Sequence, residues 1–227
     1  MPYTKGEVVV TATENEARAD ALVRTAHARV YRYPDTFEGF EATLVWRTDQ
    51  AAGQGSVVAR KGPEVEIADE TGADLGWVEK ELRSIVGHRQ FHEYDSGDGQ
   101  HDKALGSAHV LGEVVELGDP MDSSYRVASG EISTVTRTMG GQRFTIVIQD
   151  RQEFADGRTL PVTFSVVYWD AADGSLRATE LYRDEVVEVG GVQLPALRRV
   201  VRADADGLSV RELALSDHEL IGPGAAS

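Results

Sequence analysis

Five dipeptides of the hairpin type punctuate the second half of the chain: Gly140-Gly141, Asp156-Gly157, Asp173-Gly174, Gly190-Gly191 and Asp206-Gly207. Such pairs favour two-residue turns, whose central positions need a positive φ that glycine adopts without steric cost. Counted from Gly140 to Gly157, Gly174, Gly190 and Gly207, the intervals are 17, 17, 16 and 17 residues. With a turn subtracted, each interval holds one strand of about 12 residues, where an ordinary strand has about 5–6. Consecutive strands of that length form an antiparallel meander, expected over residues 107–217. Twist accumulates from strand to strand and curls so wide a sheet. The segments between turns do not repeat in sequence, so only their lengths are regular.

Two helices are expected ahead of the meander. Thr13 and Glu16 fit a capping box, and Leu22, Ala26 and Val30 recur at fours with Val23 beside them. Pro34 stops this helix, which is placed at residues 13–32. Leu75, Val78, Leu82 and Ile85 give a second apolar stripe over residues 74–87, with Gly87 as its stop. Between the helices, Ala42, Leu44 and Trp46 alternate with polar residues in the manner of a strand. Gly53 and Gly55 read as the turn into Ser56–Arg60, and a short strand follows around Val65 and Ile67. The stretch from His88 to Gly106 is polar after Phe91, and its middle reads as a loop.

Both helical stripes need cover, and the curled sheet offers it. The expected fold is mainly β with two helices (α+β): a long-stranded meander curled into a half-barrel or open barrel around the helices. At 227 residues the chain reads as a single domain, 1–227, with a frayed tail at 222–227.

The formal charge of -15 opposes binding to nucleic acid or to anionic lipid. With no cysteine there is no disulfide, thiolate nucleophile, zinc–cysteine site or iron–sulfur cluster. The three-valine run Val8–Val10 is too short for the apolar core of a signal peptide, and no stretch is long enough for a membrane span. A cytoplasmic location is the resulting expectation. The oligomeric state is not set by the sequence, a homodimer being compatible with it.

Several motifs carry a resemblance. They are Ser124-Tyr125-Arg126-Val127, Glu131-Ile132, the turn Thr136–Gly141, the run from Val167-Tyr168-Trp169-Asp170 to Asp173-Gly174, and Glu180-Leu181-Tyr182. Together with Phe37–Ala42 after the first helix, they resemble an uncharacterised family common in cyanobacteria and chloroplasts, over residues 15–220. Cyanobacterial members carry histidines near the turn after Arg137, where this chain has Thr138, Met139 and two glycines. A function resting on those histidines does not transfer, and the resemblance implies no activity. At the level of fold, a helix followed by a large curled sheet is similar to lipoprotein-carrier half-barrels, which hold acyl chains in the concavity; fold does not fix function.

Glu180, Tyr182 and Asp184 alternate along one strand and so share a face; Arg198 and Arg202 share a parity on the next. On a concave face they would be convergent polar groups in an apolar pocket. On the other face they would be solvated cross-strand pairs. Glu180 and Tyr182 are the candidate catalytic residues. Trp46, Trp77, Tyr125, Phe144, Phe164, Tyr168 and Arg198 are the candidate substrate contacts, though as a core the aromatics need no ligand. His88, His92 and His101, among several acidic residues, form a weaker candidate metal site that matches no standard spacing. There is no Gly-x-Ser-x-Gly elbow and no nucleotide-binding glycine loop.

The expected function is therefore to bind a small hydrophobic molecule and to promote its cyclisation or isomerisation without a cofactor, as a biosynthetic cyclase would. A non-catalytic carrier or sensor of such a ligand is the alternative.

Overall fold

The computed structural model describes residues 11–62, 64–69, 71 and 74–222. The tail expected at 222–227 lies, from residue 223 on, outside them, as does the valine run near the N-terminus. Helix α1 (Ala12–Arg29) leads into β1 (Gly39–Thr48), β2 (Ala52–Arg60) and β3 (Glu64–Asp69); α2 (Gly76–Arg89) follows. The rest is strand: β4 (Lys103–His109), β5 (Gly112–Leu117), β6 (Ser124–Ala128), β7 (Glu131–Met139), β8 (Gln142–Glu153), β9 (Thr159–Asp170), β10 (Leu176–Val189), β11 (Val192–Asp204) and β12 (Gly207–Leu220).

All twelve strands form one antiparallel sheet, ordered β3-β2-β1-β12-β11-β10-β9-β8-β7-β6-β5-β4. The sheet is curled but not closed, so β3 and β4 are free edges. The meander follows from its turns. Gly140 and Gly141 have φ of 61° and 76°, the two positive values that a tight hairpin of this hand requires. Strands β8 to β12 run 12 to 14 residues, as the glycine spacing requires.

The helices cover opposite ends of one sheet face. Ala19, Val23 and Ala26 of α1 pack with Val115, Leu117, Tyr125 and Val127 of β5 and β6. Val78, Leu82, Ile85 and Val86 of α2 pack with Leu44, Trp46, Val57 and Leu213 of β1, β2 and β12. The chain crosses between these two cores through an extended stretch, where the Tyr31 N–H donates to the Thr159 carbonyl at 2.8 Å.

Several local expectations are corrected. α1 is capped by Thr11, two residues ahead of Thr13: the Glu14 N–H donates to Thr11 Oγ1 at 3.3 Å, and the Thr11 N–H donates back to Glu14 Oε2 at 2.9 Å. It ends at Arg29, short of residue 32, so Tyr31 and Tyr33 can enter the α2-side core. α2 runs through Gly87 to Arg89, whose guanidinium lies 3.8 Å from Asp184 in the interior. Gly53 and Gly55 lie inside β2 and not in a turn. Gly53 pairs with Trp46, and a Cβ there would stand 2.6 Å from the indole, so the close approach of the ring demands glycine. The stretch after α2 holds two short 3-10 turns, Tyr94–Ser96 and Asp98–Gln100, and the meander begins at Lys103.

Candidate functional site

Between the two helix-covered ends lies a third apolar group on the same face. Register builds it. Across β10 and β11, Glu180 opposes Arg202, Tyr182 opposes Val200 and Asp184 opposes Arg198. Across β10 and β9, Glu180 opposes Val166 and Tyr182 opposes Phe164. Across β9 and β8, Tyr168 opposes Phe144 and Val166 opposes Ile146. The result is a strip with Val166, Tyr182 and Val200 buried, and Phe144, Ile146, Phe164 and Tyr168 half-buried. It belongs to neither helix core. Phe164 stacks on Tyr182 with centroids 4.6 Å apart and planes 8° from parallel.

A polar network borders the strip. Tyr182 and Tyr168 both donate to Glu180 Oε2, at 2.7 and 2.9 Å, and Arg202 Nη1 donates to Oε1 at 2.8 Å. Burial pushes the Glu180 carboxyl up, but the hydrogen bonds from Tyr182, Arg202 and Tyr168 outweigh it and hold the group below the usual glutamate range. Burial and the nearby carboxylates push both tyrosine hydroxyls well above the usual tyrosine value.

At the α2 side, Arg198 donates to both oxygens of Asp184, at 2.8 and 2.6 Å, and to Glu81 Oε2 at 2.9 Å. Its guanidinium also stands 5.2 Å from the Tyr182 ring centroid. This cluster ties α2 to β10 and β11 beside the strip. The Glu180 group is therefore on the helix-bearing face and not among solvated pairs.

Six of the sequence-selected residues come together here: Glu180, Tyr182, Phe144, Phe164, Tyr168 and Arg198. Three do not. Trp46 is buried in the α2-side core, and Trp77 is packed against that core. Tyr125 is buried under α1, where it donates to Asp98 and accepts from Arg137 Nη2 at 2.6 Å. Glu81 was not selected. Its only trace in the sequence is a charge adjoining the apolar Leu82 of the α2 stripe.

The histidines do not assemble. His88 contacts Ser84 Oγ at 3.3 Å within α2, and His92 meets His27 edge-on with centroids 5.1 Å apart. Among the described residues no group of three or more His, Cys, Asp or Glu side chains is placed to hold a metal ion, so the metal alternative loses its footing. An open cleft of about 1050 Å³ lies elsewhere, at the start of α1 near Asn15, Lys103, Glu116 and Ser124. Its walls mix polar and apolar groups, and none of the residues of the strip lines it.

A family model described as a protein of unknown function, DUF3386, matches residues 14–221. It bears out the resemblance read from the sequence. No curated protein matches. Among solved structures, one described as a candidate outer membrane lipoprotein-sorting protein domain from Vibrio parahaemolyticus is 9% identical, with 94% of this chain and 95% of that one covered and a TM-score of 0.34. A DUF1329 family protein from Desulfovibrio piger is also 9% identical, with the same coverages and a TM-score of 0.31. The cytoplasmic expectation is corrected at this point, and no compartment is assigned to the chain. The expectation rested on a missing leader, and a leader is a removable segment whose absence assigns no compartment. Among the described residues no helix is long and apolar enough to cross a membrane.

Proposed function

We propose, for a chain that belongs to the DUF3386 family of proteins of unknown function, that the central strip binds an amphiphilic small molecule. The apolar body lies on Phe144, Ile146, Phe164 and Val166, and polar groups beside the strip orient it. The observation that carries this reading is an apolar patch shared by four central strands, β8 to β11, that neither helix core absorbs. Apolar surface left beside convergent polar groups is the ordinary make-up of a ligand site.

Binding is favoured over chemistry. Proton transfer needs a group whose pKa lies near the working pH. Glu180 is held low by three donors, and Tyr168 and Tyr182 are held high. Glu180 and Tyr182 are thus suited to fixing a ligand's orientation. Cyclisation or isomerisation by acid–base steps has no poised group here, and the carrier or sensor reading is the better supported.

N-phenyl-1-naphthylamine, a neutral apolar dye that brightens out of water, tests the proposal. The unaltered protein is expected to take it up, and Phe164→Asp and Ile146→Asp to lose at least about tenfold in affinity, the effect of placing a charge on an apolar contact surface. Val110→Asp, at an exposed position in the turn between β4 and β5, is expected to leave uptake unchanged. No uptake by the unaltered protein, or equal uptake by all variants, overturns the reading.

A further inference from the structure

Polar groups collect where the two helices end, and the apolar strip does not account for them. The Tyr33 N–H donates to the Arg89 carbonyl at 2.7 Å, which brings the segments carrying Arg32 and Gln90 side by side. His27, in the last turn of α1, meets His92 from the segment after α2. The charge of Asp98 acts on both Arg32 and His27. Tyr125 joins Asp98 to Arg137, and Arg137 lies opposite Phe144 across β7 and β8. Arg137 and Tyr125 thus link the edge of the strip to Asp98, whose charge is felt at the helix ends.

Hydrogen bonding in this cluster is incomplete. His27 Nε2, Arg32 Nε and Gln90 Nε2 are shut off from solvent and have no partner among the described residues. Among the described residues Arg32 Nη1 meets only carbonyl oxygens, those of His27 at 2.9 Å and Val30 at 3.4 Å. Neither Arg32 nor Arg137 has a carboxylate within 4.0 Å among the described residues, unlike Arg198 and Arg202 nearby. A guanidinium Nε and an amide Nε2 can only donate. Buried donors of this kind are costly unless an acceptor reaches them, and a group with acceptors alone and a negative charge answers both needs.

We propose that the ends of α1 and α2 form a seat for the anionic head of the amphiphile, a carboxylate or a phosphate monoester. Arg32 and Gln90 donate to it, Arg137 adds charge from the sheet, and the chain extends over Phe144 onto the strip. The inference rests on the strip being a binding surface.

Displacement of N-phenyl-1-naphthylamine tests it, with palmitate, hexadecyl phosphate, hexadecanol and hexadecyltrimethylammonium as competitors below their aggregation limits. At least one anion is expected to displace the dye about tenfold more tightly than the alcohol, and the cation to be weakest. Preference for palmitate identifies a carboxylate head, and preference for hexadecyl phosphate a phosphate. Arg32→Gln is expected to bring the anion and alcohol within about threefold of each other while dye affinity stays unchanged. Arg137→Gln serves as the second variant should Arg32→Gln fail to fold. Dye uptake with equal displacement by anion and alcohol overturns this inference alone, as does a preference that survives in every variant that folds. No dye uptake removes the strip reading and this inference with it.

Discussion

Asp184 and Arg198 face each other across β10 and β11, joined by a two-pronged hydrogen bond, with 3% and 7% of their side chains exposed. Glu81 takes a third donor from the same guanidinium, so one arginine fastens α2 to the sheet. A buried ion pair of this kind contributes little over an apolar substitute, but removing one partner strands the other charge. Asp184→Asn is accordingly expected to destabilise the fold by about 3–5 kcal/mol, read from urea unfolding followed by circular dichroism. A loss below about 1 kcal/mol would mean that water reaches Arg198 when its partner is gone.

The two tyrosines on Glu180 have a separable effect. Tyr168→Phe and Tyr182→Phe each remove one donor to the carboxylate, at an expected cost of about 1–3 kcal/mol. Each is also expected to move the Glu180 pKa up toward 4.5, observable by carbon NMR of the carboxyl during a pH titration. The folded value lies below the unfolded one, so this stabilisation is present above about pH 4.5 and lost as pH falls through the folded value. The acid loss of stability attributable to Glu180 becomes shallower in either variant. An unmoved carboxyl titration would show that Arg202 alone holds the group.

His27 sets a second pH window. Burial, then the charges of Arg32 and His92, lower its pKa from 6.5 to about 4. The unfolded chain therefore takes up this proton below about pH 6.5, while the folded protein does so only near pH 4. Stability falls as pH drops through that interval and levels off below it. Melting temperatures at pH 7, 5.5 and 4 should fall less in His27→Gln than in the unaltered protein. Parallel curves would show that His27 is protonated in the folded state at mildly acid pH.

Gly53 is where the sheet accommodates an indole. In Gly53→Ala the new methyl would meet Trp46 at 2.6 Å, and the ring must move within a packed core. The expected cost is about 1–3 kcal/mol. Trp46 is 3% exposed, so its displacement should also alter the intrinsic fluorescence spectrum. An unchanged spectrum with unchanged stability would show that the ring has room to yield.

The meander was legible because its information is local. Turn chemistry at Gly140, Gly157, Gly174, Gly190 and Gly207 sets strand lengths, and a period of two sets which side chains share a face. The grouping of Glu180 with Tyr182, and of Arg198 with Arg202, follows from parity alone. Which face carries the helices does not, because that depends on packing between distant segments. Helix ends show the same limit. Thr11 with Glu14 and Thr13 with Glu16 are equally good capping boxes, and only the packed structure distinguishes them. Gly87 is a sound stop signal, yet Arg89 belongs to the helix because Asp184 awaits it on β10. Trp46 and Trp77 show that an aromatic on an apolar stripe does not reveal which core it joins. His27, Arg32 and Gln90 come from different segments with no common spacing, so no reading of the sequence brings them together.

A curled sheet that never closes keeps two edges, and each can template another strand, the usual start of aggregation. The molecule blunts both. On β3, Glu64 and Glu66 stand exposed in a strand of six residues, so a second copy would bring like charges together. On β4 the protection is steric and chemical: Asn15 of α1 accepts the Leu105 N–H at 2.7 Å, occupying a donor that an added strand would need. A net charge of -15 adds repulsion between copies at longer range. An open sheet thus carries, at each of its edges, a feature that opposes the pairing its openness invites.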